Sequence, residues 1–148
     1  MRALVIAIGN PLRRDDGVAH HVRVPGLEKR AVLQLVPEVA EEIASFDLVV
    51  FVDASVTATR PRLEPVGPSA GSPLTHVCSP GEIVALARSL FGFVGRAYLC
   101  HFPARDFSNS ERLRARAQRF ADQAAGEIEH IAGELEHIAR DVEHIMGA

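Results

Sequence analysis

Tryptophan is absent from this chain of 148 residues, and only one tyrosine and two cysteines are present. The cysteines, Cys78 and Cys100, form no C-x-x-C pair and no spaced framework, so a disulfide-stapled fold is excluded. Reduced thiols and a cytoplasmic location are the corresponding expectation. The apolar run at the amino terminus is too short for a signal peptide, and none approaches transmembrane length, which argues against a membrane partner.

An excess of positive charge is also lacking, because 16 basic and 19 acidic side chains give a formal net charge of −3. A general nucleic-acid-binding protein needs a basic surface, and this chain has too few basic residues for one. Hydrophobic residues make up 47% of the chain, and its length suits one ordinary domain with a real core. These proportions are typical of a water-soluble globular protein.

Strand-like and helix-like segments alternate along the first hundred residues. Continuous apolar runs predict buried parallel strands, and a Pro near a helix start or a Ser before it predicts where helices begin. The predicted strands are 3–8, 31–36, 47–53, a short edge strand at 62–66, and 96–101, with helices at 38–45 and 80–91. This order predicts an α/β three-layer sandwich with a mostly parallel twisted sheet, helices on both faces, and a long C-terminal helix.

The segment from residue 109 onward reads as helix throughout and contains a seven-residue repeat in which Glu-His precedes Ile. We therefore predict an α/β domain over 1–108 and a C-terminal helical segment over 109–148. A continuous helix of this length would be longer than a small domain, so it must either project from the domain or break. Gly126 and Gly133 are the expected break points. Basic residues early and acidic residues late favour antiparallel self-association, giving a homodimer; an amphipathic helix covering the sheet explains the pattern equally well.

Three side chains with metal-binding chemistry are predicted at the carboxyl edge of the sheet. Asp16 lies in the loop after the first strand, Asp53 ends the third strand, and His76 precedes a helix. Ligands bind at this edge in open α/β sheets, and two carboxylates with one imidazole suit a divalent metal of borderline softness. The alternative is that Asp16 caps a helix, Asp53 anchors its loop, and His76 bonds to backbone.

Three segments in order carry a resemblance to a known family. The loop from Gly9 to Gly17, with Asn10, Asp15 and Asp16, resembles the signature loop of the hydrogenase maturation endopeptidases. Residues 48–54, ending in Asp-Ala, resemble the second block of that family. Residues 75–87, with a histidine just before a helix, resemble the third. Pro25-Gly26 and the heptad tail depart from the family pattern.

The resemblance implies a peptidase-like domain over 1–108 and the same three site residues, Asp16, Asp53 and His76, in contact with nickel and in catalysis. It implies an aspartic-type, metal-assisted endopeptidase that removes the C-terminal extension of a [NiFe]-hydrogenase large-subunit precursor. The nickel is carried by this substrate, although another divalent metal can be considered in its place. Two alternatives stay open: a catalytically silent relative that binds a hydrogenase subunit or nickel, and another divalent-metal hydrolase. The first loop lacks G-x-G-x-x-G, which argues against a dinucleotide-binding protein.

Overall fold

A computed structural model of the chain describes residues 1–9, 22–55, 62–69, 78–103 and 111–145. The predicted boundary between residues 108 and 109 lies outside these ranges. Within them the elements are β1 (Ala3–Ile8), β2 (Glu28–Val32), α1 (Val39–Ile43), β3 (Leu48–Ser55), β4 (Arg62–Pro65), α2 (Pro80–Phe91), β5 (Arg96–Pro103) and α3 (Glu111–Ile145).

The five strands form one mixed sheet in the order β2-β1-β3-β5-β4. Strands β2, β1, β3 and β5 are parallel, and β4 pairs antiparallel with β5 at one edge, where Pro65 is tolerated. Central strand β3 is fully buried from Leu48 to Val52, as a parallel strand covered on both faces requires. The predicted mostly parallel sheet is confirmed.

Helices cover both faces of this sheet, so the molecule has the predicted three layers. On one face, Val49 and Phe51 of β3 pack with buried residues of α1 and α2. On the other face, Leu48, Val50 and Val52 pack with buried residues of α3. The alternation follows from the two-residue period of a strand, and it tells us which face each further side chain of β3 and β5 meets.

Helix α2 begins and ends where the sequence predicts. The Ser79 side chain accepts a hydrogen bond from the Glu82 backbone N–H at 3.2 Å, and Pro80 occupies the first turn. Both features stabilise a helix start, because the first N–H groups have no partner within the helix. At the other end Gly92 has φ of 71°, a left-handed conformation that glycine adopts without steric cost.

Helix α3 runs without interruption from Glu111 to Ile145, so of the two expected alternatives, projection or a break at Gly126 or Gly133, the break does not occur. Ile128 is fully buried against the sheet, whereas Ile138 is 50% exposed. Residues 120–135 of α3 therefore pack against the sheet, and this cover is lost beyond them, towards the carboxyl end. Among the described residues, no helix combines the length and the apolar character that crossing a bilayer needs.

Strand β2 differs from its predicted position at 31–36, because it occupies Glu28–Val32 instead. It is an edge strand paired only with β1, and its first four residues are exposed. The apolar residues that suggested a strand lie mostly beyond it. Leu35 is buried, and Val36 packs against the α1/α2 core cluster, which is formed by the buried residues on the sheet face that α1 and α2 cover. Both side chains therefore contribute to the core from the connection between β2 and α1.

Candidate functional site

The carboxyl ends of the parallel strands meet at one edge of the sheet. β1 ends at Ile8, β3 at Ser55 and β5 at Pro103, with β3 between the other two. Gly9 follows β1 with φ of 137° and donates its N–H to the Val32 carbonyl at 3.0 Å. Only glycine adopts such a φ readily. A residue with a side chain at position 9 would therefore disfavour the backbone conformation in which the chain leaves the sheet.

Asp53 lies at this edge, near the carboxyl end of β3, and its side chain is half-buried. It follows Val49 and Phe51 at two-residue spacing, so it lies on the sheet face covered by α1 and α2. β1 and β3 are direct neighbours, as expected for the point where the strand order reverses. Asp53 thus occupies the position where ligands bind in this class of sheet.

The other two predicted site residues, Asp16 and His76, lie outside the described residues. Within the described ranges alone, no three His, Cys, Asp or Glu side chains stand together in a way that would hold a metal ion. Two described residues that flank the segments containing them, Gly9 and Cys78, lie at this edge of the sheet, whereas Val22, the described residue nearest in the chain to Asp16, is buried in the core under α3. Gly9 leaves β1 at the edge, and the Cys78 N–H bonds to the carbonyl of Leu35, just beyond β2, at 2.9 Å.

His101 is the residue directly across from Asp53 on the neighbouring strand, because β3 and β5 pair in parallel with Asp53 in register with His101. It follows Ala97 and Leu99, which pack in the α1/α2 core cluster, so it shares a sheet face with Asp53. Its Nδ1 atom is buried and has no hydrogen-bond partner in the described part of the protein. An unsatisfied buried polar atom of this kind costs about 1–3 kcal/mol, and such atoms call for a functional explanation.

Arg62 continues the same row onto β4, where it is in register with His101. Its guanidinium makes an ion pair with Glu64 at 3.1 Å, and its side chain is 72% exposed. Because the pair is solvated, it contributes little to stability. A row of three register partners therefore crosses the sheet: Arg62 on β4, His101 on β5 and Asp53 on β3. The His101 imidazole and the Asp53 carboxylate are neighbours in this row.

Neither cysteine offers a reactive thiolate. Burial, reinforced by the negative charge of Glu127, raises the pKa of Cys100 to about 12, and its side chain belongs to the core under α3. Burial also raises the pKa of Cys78, with smaller contributions from Glu82 and Glu38. A thiol nucleophile needs a lowered pKa, so thiol-based peptide cleavage has no support in these two residues.

Two histidines of the α3 repeat lie on the solvent-facing side of the helix. His130 and His137 are more than two-thirds exposed and lie beside Glu134 and Asp141 at 3.0 and 3.5 Å. A groove of about 650 Å³ between α3 and the β4 edge is lined by Leu63, Tyr98 and Ile131. These residues pack on the α3 face, so the groove is separate from the row that contains Asp53.

No protein-family profile matches the chain, and no curated protein is significantly similar to it. The fold is shared with three solved structures, all of which are hydrogenase maturation proteases. The structure is similar to a [NiFe] hydrogenase maturation protease HycI from Thermococcus kodakarensis KOD1, with TM-score 0.57, 22% identity, and 87% of this chain and 92% of that chain covered.

Two further solved structures of the same kind share the fold. The hydrogenase maturating endopeptidase HybD from E. coli gives TM-score 0.51 and 15% identity, with 88% of this chain and 93% of that chain covered. The [NiFe] hydrogenase maturation protease HybD from Thermococcus kodakarensis gives TM-score 0.55 and 19% identity, with 84% and 97% covered. The α/β fold predicted from the sequence is thus the fold of hydrogenase maturation proteases.

His101 was not predicted as a site residue. In the sequence it stands beside Cys100, and the only pairing to consider is a thiol–imidazole pair, which strand alternation disfavours because neighbours on a strand face opposite ways. The relevant partner is Asp53, 48 positions away in the chain and adjacent only through strand pairing. The sequence signal was its two-residue spacing from Ala97 and Leu99, read together with the order of the strands.

Proposed function

We propose that this protein is an endopeptidase that removes the C-terminal extension of a [NiFe]-hydrogenase large-subunit precursor. The observation that carries the proposal is the likeness, over 84–88% of the chain, to three hydrogenase maturation proteases. The position of Asp53, at the carboxyl edge of the sheet, supports the same reading, because this is the edge where α/β sheets bind ligands. We place the reaction in the cytoplasm, where reduced thiols are the rule.

Three residues form the proposed site, Asp16, Asp53 and His76. Asp53 is a half-buried carboxylate at the edge of the sheet. Asp16 follows Gly9 by seven positions and His76 precedes Cys78 by two, and both Gly9 and Cys78 lie at that edge. Chain connectivity allows the three side chains to converge. Two carboxylate oxygens and an imidazole nitrogen suit nickel, which in this proposal arrives with the substrate.

The proposed reaction is hydrolysis of a peptide bond next to the substrate's nickel. The three side chains hold the nickel-bearing end of the precursor so that the scissile carbonyl lies beside the metal, which acts as a Lewis acid. A carboxylate of the site takes a proton from the attacking water, and we assign that role to Asp16, because its chain neighbour Asp15 is a second carboxylate. The raised pKa values of both cysteines are in keeping with direct attack by water.

The test is incubation of the purified protein with its nickel-loaded large-subunit precursor, followed by mass spectrometry of the precursor's C-terminus. We expect wild type to remove a short extension. Asp53→Asn keeps the shape of the side chain and removes its charge, and we expect it to slow cleavage by about 100-fold or more, as for loss of a group that positions metal or moves protons. Asp16→Asn and His76→Asn are expected to do the same.

The matched control is Asp122→Asn, the same substitution at an exposed position of α3. We expect it to cleave at the wild-type rate. Binding of the precursor without cleavage by wild type would replace the peptidase by the silent relative. Neither binding nor cleavage, together with hydrolysis of other substrates after metal is added, would favour the divalent-metal hydrolase.

A further inference from the structure

We infer that His101 supplies an additional nitrogen ligand to the metal site that contains Asp53. This inference rests on the proposed function, in which Asp53 is a metal ligand. It adds a residue of β5 to the Asp53 carboxylate of β3. His101 would then contact the metal that the substrate brings to the site.

Strand pairing brings the two side chains together. Asp53 and His101 are register partners on adjacent parallel strands, and both lie on the face covered by α1 and α2. Adjacent strands are about 4.8 Å apart. Metal–oxygen and metal–nitrogen bonds of about 2.0–2.2 Å each allow one ion to bridge a carboxylate and an imidazole across that gap.

The state of the imidazole supports a ligand role. Nδ1 of His101 is buried, and no group of the described residues hydrogen-bonds to it. Histidine binds metals through either ring nitrogen, so Nδ1 can take a metal without breaking a hydrogen bond within the described residues. Buried polar side-chain atoms mostly have at least one hydrogen-bond partner, and Nδ1 of His101 has none within the described ranges.

The charged and thiol groups nearest to His101 on its own and the neighbouring strand are not its partners. Arg62, its register partner on β4, is already paired with Glu64 at 3.1 Å. Cys100 points to the opposite face and keeps its proton, so a thiol–imidazole pair is excluded at this strand end. A nitrogen donor next to a carboxylate selects nickel or zinc over magnesium or calcium, which prefer oxygen ligands alone.

The experiment is titration of Ni²⁺ into the purified full-length protein, measured by isothermal calorimetry, with Mg²⁺ as the comparison ion. We expect Ni²⁺ to bind and Mg²⁺ not to bind. We expect His101→Asn to weaken Ni²⁺ binding by at least about tenfold, the lower end for disturbed metal sites. The control is His130→Asn, the same substitution at an exposed histidine of α3, which we expect to bind like wild type.

A second measurement reports on His101 without relying on a variant's folding. In ¹⁵N-histidine-labelled protein, the imidazole signal absent from the His101→Asn spectrum identifies His101. Addition of Zn²⁺, a diamagnetic substitute, is expected to shift its Nδ1 resonance in the wild type. An unshifted resonance, equal Ni²⁺ affinity in His101→Asn, or no Ni²⁺ binding by wild type would each overturn the inference. Cleavage of the precursor by wild type would still stand in those cases, so the two proposals fail separately.

Discussion

Cys100 and His101 are neighbours in the chain and have unlike surroundings, since successive side chains of a strand face opposite sides of the sheet. Cys100 is fully buried in the core under α3. His101 stands on the other face, in register with Asp53. One strand end therefore contributes an inert packing residue to one layer and a polar side chain to the edge where Asp53 lies.

The buried thiol predicts a stability difference at alkaline pH. An unfolded cysteine ionises with a pKa of 9.0, whereas burial holds Cys100 protonated to about pH 12. The unfolded chain therefore loses this proton first, so stability is unaffected below pH 9 and falls as pH rises from 9 towards 12. At pH 10 the loss relative to pH 8 is about 1.4 kcal/mol.

Urea unfolding of wild type and Cys100→Ala at pH 8 and pH 10 measures this. We expect the stability advantage of wild type over the variant to shrink by about 1.4 kcal/mol between the two pH values. Comparing the two proteins at each pH cancels the other groups that titrate in this range. An advantage that stays constant would mean that Cys100 ionises in the folded state as it does in the unfolded chain.

At the level of elements, α2 shows how local sequence sets both the start of a helix and its position at the site edge. The Ser79 side chain accepts a hydrogen bond from the first turn, Pro80 begins that turn, and Glu82 adds a negative charge near the helix amino terminus. The Cys78 N–H, bonded to the Leu35 carbonyl, fixes the residue just before this start beside the end of β2. The cap thus anchors the chain immediately after the segment that contains His76.

Replacing the cap is expected to destabilise the protein. Ser79→Ala removes the acceptor for the Glu82 N–H, and we expect the free energy of unfolding to fall by about 1 kcal/mol. Chemical denaturation measures it. Ser89→Ala, the same substitution at an exposed position within α2, is the control and is expected to be neutral or slightly stabilising. Equal effects at both positions would show that the cap contributes nothing.

Elements with a strong local signal were predictable, and those shaped by neighbours were not. The apolar run of β1 and the Ser-Pro start of α2 predicted those elements with their observed bounds. β2 was misplaced because an edge strand needs no apolar face, and its apolar neighbours serve the core instead. The continuity of α3 was left open because helix propensity counts against its glycines, while packing of residues 120–135 on the sheet overrides that cost.

For the molecule as a whole, α3 is the element that extends beyond what the sheet covers. Its 35 residues would span about 52 Å at 1.5 Å per residue. Its apolar stripe is buried at Ile128 and half-exposed at Ile138. The repeat of the sequence continues past that point, and the homodimer predicted from it stays a prediction.

Analytical ultracentrifugation tests the homodimer. If α3 mediates self-association, wild type sediments at twice the chain mass of 16.0 kDa and Ile138→Glu sediments as a monomer. The substitution places a charge on an exposed apolar position, so we expect the unfolding free energy of the monomer to change by less than about 0.5 kcal/mol. Wild type at the mass of one chain at micromolar concentration would contradict the prediction.

The candidate site was predictable only as far as chain-local rules reach. Asp53 was expected at the end of an apolar strand, and it lies at the carboxyl edge of the sheet. The pairing of Asp53 with His101 depends on β5 lying beside β3, which is a property of the whole sheet. No periodicity within either strand encodes that neighbour, so His101 became visible only in three dimensions.

The central position of β3 also governs the order in which this sheet is completed during synthesis. Leu48 pairs with Ala3 on one side and with Arg96 on the other, so each partner is about 45 residues or more away in the chain. Pairings of such sequence separation form slowly, because a large loop must close before any contact is gained. A ribosome that has released β1 and β3 still holds β5, and during that interval one full side of the most apolar strand has no partner. The nascent chain therefore passes through a stage in which it exposes apolar surface of the kind that chaperones bind.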